Sequence, residues 1–277
     1  MIPVDEFAGF VGRVPSTEVV LPRGRTRVWD TGDGPPLVLL HGIAASRRVF
    51  FRIVEPLARS HRVIVPLLPG EERPDGRLTL DAHLDDLAAL LAGLDLRAVR
   101  LFGFSFGGWL ALAYGARRDP RVDGIVVQGA FARYPLRASD RLALAVGGVV
   151  PASWAAWYFR RRVLAGRENA LLAAHHPALA DLNAEWQGKT AVPSLRARTR
   201  LISGLDLAPR LASIDVPLTF LQGELDPVAP RRLFERLRSL RRDAHAVLLP
   251  GAGHLAALTH ADELVGAILS APARTRP

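Results

Sequence analysis

The chain has no cysteine and a single lysine, Lys189. Without thiols there is no disulfide framework, no thiolate zinc site and no cysteine nucleophile, and the redox compartment is left open. A leader signature is also missing. Met1-Ile2-Pro3-Val4-Asp5-Glu6 carries acids where a secretory signal has basic residues followed by an apolar run, so the chain reads as cytoplasmic. Long hydrophobic runs are scarce. The uncharged stretch from Leu142 to Phe159 is interrupted by Gly147, Gly148, Pro151 and Ser153, whereas a spanning helix needs about 20 apolar residues. Two short buried helices are expected there, and no integral membrane span.

What is present is ordinary globular composition. The chain has 277 residues, 49% of them hydrophobic and 23% charged, long enough to bury a core without covalent staples. Arginine supplies nearly all of the 36 basic residues, and the formal net charge is +9. Nucleic-acid binding calls for basic residues gathered on one face with interleaved aromatics. Here they are scattered, with short runs only at Arg160-Arg161-Arg162, Arg231-Arg232 and Arg241-Arg242. They read as solvated surface, and nucleic acid is not an expected partner.

Short apolar runs alternate with helical ones. Strands are expected at 36–40, 61–66, 99–102, 125–127, 217–221 and 246–249. Their continuous rather than alternating apolar character marks strands buried on both faces, hence a mostly parallel sheet. Helices are expected over Leu80–Leu94, Trp109–Arg118, Arg231–Leu240 and Ala261–Leu269, which makes the fold class α/β, a doubly wound sheet. The alternation stops between Phe131 and about Pro209, where helical patterns dominate and three of the five tryptophans fall. Residues 1–130 and 210–277 are thus expected to form the core, with 131–209 a helical lid inserted after the sixth strand.

The most informative residues are Gly103-Phe104-Ser105-Phe106-Gly107-Gly108, between an expected strand and an expected helix. A serine hydroxyl is a poor nucleophile unless held beside a base. A sharp strand-to-helix turn holds it proud of the sheet, provided the residues two before and two after are small. Gly103 and Gly107 meet that need, and the N–H of Phe106 sits at a helix N-terminus, where an anion is favoured. The base and its orienting carboxylate are sought past later strand ends: Asp226 in Gly223-Glu224-Leu225-Asp226-Pro227, and His254 in Gly251-Ala252-Gly253-His254. Glu224 competes as the acid but lies closer to its strand end. His245 opens a strand, His260 caps a helix, and His175-His176 lacks metal-ligand spacing. A second oxyanion donor is expected from His41-Gly42-Ile43, at the Ile43 N–H, with His41 fixing that loop through its side chain.

These motifs, in this order, resemble the α/β-hydrolase superfamily, in particular small serine esterases and the cofactor-free haloperoxidase-like group. The resemblance implies a Ser105–Asp226–His254 triad, oxyanion donors at Ile43 and Phe106, no metal and no organic cofactor. It also implies cleavage of a small-molecule ester or thioester through an acyl-enzyme. Where relatives carry D-x-P-G-x-G, this chain has Leu67-Leu68-Pro69-Gly70-Glu71-Glu72-Arg73, which adds two carboxylates near the expected pocket mouth. Phe131, Trp154, Trp157, Tyr158, Phe159 and Trp186 are candidates for an apolar pocket wall. Acyl transfer, thioester release or C–C hydrolysis with the same triad is the alternative, and a non-catalytic ligand-binding member is a second one. The oligomeric state is not legible.

Overall fold

A computed structural model describes residues 3–44, 46–71, 75, 77–146, 154, 158 and 166–274. Its centre is an eight-stranded sheet. The strands are β1 (Ser16–Leu21), β2 (Gly24–Thr31), β3 (Pro36–Leu40), β4 (Arg62–Pro66), β5 (Val99–Phe104), β6 (Val122–Gln128), β7 (Leu218–Gly223) and β8 (His245–Leu249). Their spatial order is β1-β2-β4-β3-β5-β6-β7-β8. β1 and β2 pair antiparallel, as do β2 and β4, and every later pair is parallel. The six strands expected from continuous apolar runs are all present.

Alternate residues of one strand serve opposite faces. Val38 and Leu40 belong to one core, with Leu101, Ile125 and Val127, while Leu37 and Leu39 belong to the other, with Phe102 and Val126. Helices α3 (Leu80–Gly93) and α4 (Phe106–Gly115) cover the first face, and α2 (Phe51–Ala58) covers the second. Thr79 caps α3, its hydroxyl accepting the Ala82 N–H, one of the donors a helix start otherwise leaves unpaired. An N-terminal helix, α1 (Pro3–Arg13), packs its Phe10 into the second core.

Between β6 and β7 the described residues form no strand. They hold α5 (Ala138–Val146), α6 (Arg167–His175), α7 (Pro177–Gly188), α8 (Val192–Gly204) and the short α9 (Ala208–Leu211). After β7 come α10 (Arg231–Leu240), the short α11 (Ala256–Thr259) and α12 (Ala261–Leu269). The expectation of two short buried helices in the uncharged stretch is corrected at two points: Leu142 on α5 is exposed and Trp154 is 71% exposed. Among the described residues no helix is long and apolar enough to cross a membrane.

Candidate active site

The parallel strands deliver their C-terminal ends to one edge of the sheet, and the candidate residues follow those ends. Ser105 stands between β5 and α4 at φ 53° and ψ −112°. A non-glycine residue at positive φ is strained, typically by about 1–3 kcal/mol. The turn that imposes this conformation is so tight that side chains are excluded around it. A Cβ on Gly103 would lie 2.4 Å from the Gly107 carbonyl oxygen, and one on Gly107 would lie 2.0 Å from the Leu40 carbonyl oxygen. The Ser105 side chain makes no capping bond to α4, so the helix does not consume the hydroxyl. Phe106, fully buried, opens that helix.

Asp226 and His254 meet. The imidazole Nδ1–H donates to Asp226 Oδ2 over 2.7 Å, and both side chains are buried. Asp226 Oδ1 accepts the backbone N–H groups of Val228 and Ala229, each at 2.8 Å. The carboxylate is thus held by three hydrogen bonds, and Nε2 is left as the imidazole's lone-pair nitrogen. Burial alone would push the imidazole down. The charge and hydrogen bond of Asp226, with a further contribution from Glu168, overcome that and hold His254 above the ordinary histidine value.

Gln128, at the end of β6 and fully buried, ties the serine turn to the His254 loop. Its carbonyl accepts the Ser105 N–H at 2.8 Å, and its Nε2 donates to the His254 carbonyl at 3.1 Å. The ring of Phe104, next to the serine, lies 4.8 Å from the His254 ring, centroid to centroid. Glu224, the competing acid, is exposed and accepts the Gly251 N–H, which makes it a brace between the β7 and β8 loops.

Ile43 lies in the loop after β3, and its carbonyl accepts a bond from Arg198 Nη1 at 2.9 Å. His41 is fully buried there, its Nδ1 donating to the Gly42 carbonyl and its Nε2 accepting the Leu68 N–H at 3.2 Å. That is the loop-fixing role expected for it. Arg198, on α8, also donates to the Pro69 carbonyl at 2.8 Å and to Glu71 Oε1 at 2.6 Å. The Arg198 side chain is 0% exposed and that of Glu71 is 8% exposed. Glu71 is therefore no open carboxylate at a pocket mouth, because an inserted arginine neutralises it; Glu72 and Arg73 lie outside the described residues.

The candidate pocket residues scatter. Phe131 is buried in the core beside α4 and packs on Tyr134, with ring centroids 5.0 Å apart. Trp186 is buried against Phe7 and Phe51, at 4.9 and 5.9 Å, so it joins α7 to α1 and α2. Trp154 points to solvent, and the Tyr158 hydroxyl donates to Asp140 at 3.1 Å. Trp157 and Phe159 lie outside the described residues. Unexpected at the site are Gln128, Arg198 and Glu168. Gln128 had a usable signal, a polar residue ending an apolar strand; the two charged residues had none beyond ordinary helix composition.

Residues 37–267 match the alpha/beta hydrolase family, well over half of the sequence, and the chain belongs to it. Among curated relatives, the pimeloyl-[acyl-carrier protein] methyl ester esterase of Xanthomonas oryzae pv. oryzae is 29% identical over 251 residues, 86% of this chain and 94% of that protein. The 2-hydroxymuconate semialdehyde hydrolase of Pseudomonas sp. (strain CF600) is 36% identical over a shorter stretch of 119 residues, 40% of this chain and 42% of that protein. The enol-lactonase from Burkholderia xenovorans LB400 superposes with a TM-score of 0.79 at 19% identity, covering 91% of this chain and 98% of that one, a likeness of fold.

Proposed function

We propose that this α/β hydrolase is a serine hydrolase that cleaves a carboxylic ester or thioester of a lipophilic small molecule through an acyl-enzyme on Ser105. One observation carries the reading: a buried Asp226–His254 pair at 2.7 Å bonded through Gln128 to a strained serine turn. In this scheme His254 Nε2 takes the Ser105 proton as the hydroxyl attacks the carbonyl carbon. Asp226 stabilises the imidazolium, and the imidazolium then protonates the leaving alcohol or thiol. The N–H groups of Ile43 and Phe106 receive the oxyanion; one such donor typically lowers the barrier by about 3–4 kcal/mol. Water, deprotonated by the same imidazole, releases the acid.

Two features favour a neutral, apolar acyl group. Phe104 and Phe106 flank the serine, and the Arg198 charge beside the oxyanion loop is already met by Glu71. The helices between 131 and 209 act as the lid over this site, held to the core through Arg198 and through the Thr190 hydroxyl, which donates to the Ala44 carbonyl at 3.1 Å. The esterase relative points the same way. The local likeness to 2-hydroxymuconate semialdehyde hydrolase favours a second reading, C–C hydrolysis by the same three residues.

The test is hydrolysis of a p-nitrophenyl ester series beside 2-hydroxymuconate semialdehyde, with fluorophosphonate labelling of the wild type and of Ser105→Ala. Ester turnover and labelling, both abolished in Ser105→Ala, are the expected result. Turnover of the semialdehyde alone would favour C–C hydrolysis. A protein inert to every probe would be a non-catalytic member of the family.

A further inference from the structure

Glu168 is on α6, in the stretch between β6 and β7, yet its carboxylate is bonded to the loop that carries the base. Oε2 accepts the His254 N–H at 3.0 Å and Oε1 accepts the Leu255 N–H at 2.8 Å. The fit is close at Gly253. A Cβ there would lie 3.0 Å from both carboxylate oxygens and 3.0 Å from Leu171 Cδ2. The helix presenting the carboxylate is itself anchored: Asn183 Nδ2 donates to Asn169 Oδ1 at 2.9 Å, and Asn169 Nδ2 donates to Gln187 at 3.3 Å, tying α6 to α7.

The main chain of His254 is therefore gripped on two sides. Gln128 of the sheet holds its carbonyl, and Glu168 of the inserted helices holds its N–H. The charged groups acting on the His254 imidazole are Asp226, from the loop after β7, and Glu168, from α6; those acting on Glu168 are His254 and Asp226. Burial pushes the Glu168 carboxyl up, while the His254 charge and the two N–H bonds pull it back. No arginine or lysine pairs with this carboxylate among the described residues. Among the described residues, the positive charge that acts on it is that of a protonated His254.

We propose that Glu168 is a positioning residue of the lid, which fixes the backbone of the base and supplies a second negative charge to its imidazolium, so that the site is complete only with α6 seated. This rests on the triad reading above. The contribution is electrostatic as well as steric, so it changes the pH at which the base becomes competent as well as its placement.

The experiment measures p-nitrophenyl acetate hydrolysis and fluorophosphonate labelling against pH for the wild type, Glu168→Gln and Glu168→Asp. The Gln variant keeps the shape and one acceptor but loses the charge. Its kcat and labelling rate should fall roughly 10- to 100-fold, the scale that about an ångström of misplacement costs, with KM little changed. The acid limb of kcat/KM should move to lower pH. The Asp variant keeps the charge on a shorter stem and should lose rate while its acid limb stays in place. A merely structural role would lower the urea midpoint and leave the limb unmoved. An active wild type beside a Gln variant with an unshifted limb overturns the proposal alone. An inert wild type overturns the triad reading and this proposal with it. If the Gln variant does not fold, Glu168→Asp decides: a lowered kcat with an unmoved limb and a wild-type urea midpoint supports the proposal, and wild-type kcat, a shifted limb or a lowered midpoint overturns it.

Discussion

Asp226 has its lone pairs committed on both oxygens, and this determines what an amide in its place would do. Two backbone N–H donors, from Val228 and Ala229, converge on Oδ1, so an asparagine must turn its carbonyl oxygen toward them. Its amide N–H groups then face the imidazole. Nδ1 can meet them only as an acceptor, which moves the ring proton to Nε2 and removes the lone pair that would deprotonate Ser105. Asp226→Asn is accordingly expected to fold normally and to lose about 10⁴ in kcat, the size of effect a wrong-tautomer histidine produces in triad proteases. Glu224→Gln, at an exposed brace holding one N–H, is expected to stay within a few-fold of wild type. Measured kcat values for the pair test the assignment, and a severe Glu224→Gln beside a mild Asp226→Asn would transfer the acid role. On the proposed triad the same chemistry sets the pH profile: His254, held above the ordinary histidine value, is protonated at low pH, so kcat/KM should rise with pH through that value.

At the scale of elements, α8 joins the inserted helices to two core loops at once. Arg198 reaches the loop after β3 and the loop after β4, and the Ser194 hydroxyl donates to the Gly70 carbonyl at 2.9 Å. Removing one partner of a buried ion pair strands the other charge and typically costs about 3–5 kcal/mol, whereas removing both is far milder. Arg198→Met should therefore lose roughly that much stability in urea unfolding, and adding Glu71→Gln should restore a large part of it. Equal losses in the single and double variants would show that the pair is not what α8 contributes. These are the parts the sequence conceals. Strands β3 to β7 are legible because burial on both faces leaves unbroken apolar runs, β8 because it keeps an apolar run although it is the half-exposed edge strand, and the serine turn is legible because only glycines fit around it. β1 and β2, half exposed and carrying Glu18, Arg25 and Arg27, have no such run. Arg198 reads as one more solvated arginine and Glu168 as a helix-start acid. Their roles come from partners more than eighty positions away in the chain, which no local pattern records.

For the whole molecule, stability and the readiness of the site are linked through buried histidines with opposite signs. His83, on α3, is 3% exposed and lies edge-on to Phe106, with ring centroids 5.5 Å apart. Its Nδ1 donates to the Thr79 carbonyl at 2.9 Å, and its Nε2 has no partner among the described residues. Burial, reinforced by the charges of Arg198 and Arg23 and opposed by the Thr79 bond, pushes its pKa down from 6.5 to about 4. Between those two values the unfolded chain binds the proton and the folded protein does not, so stability falls as pH drops through the window and this contribution levels off below about 4. The full effect is roughly 3 kcal/mol at about 1.4 kcal/mol per unit, a sizeable share of a typical folding free energy of about 5–15 kcal/mol. His254, held up by Asp226, acts on the other side: its contribution is complete below 6.5 and is lost as pH rises through its folded value. Glu168, raised above 4.5, opposes His83 inside the lower window, so the wild-type curve alone does not isolate the term. The difference between wild type and His83→Gln does, because the amide can keep a donor for Thr79 and cannot titrate. Urea unfolding from pH 7 to pH 4 should show the wild type losing about 3 kcal/mol more than the variant; parallel curves would mean that His83 takes up its proton as readily in the folded protein as in the unfolded chain, so that at pH 4 Phe106, the first residue of the serine helix, packs against a charged ring.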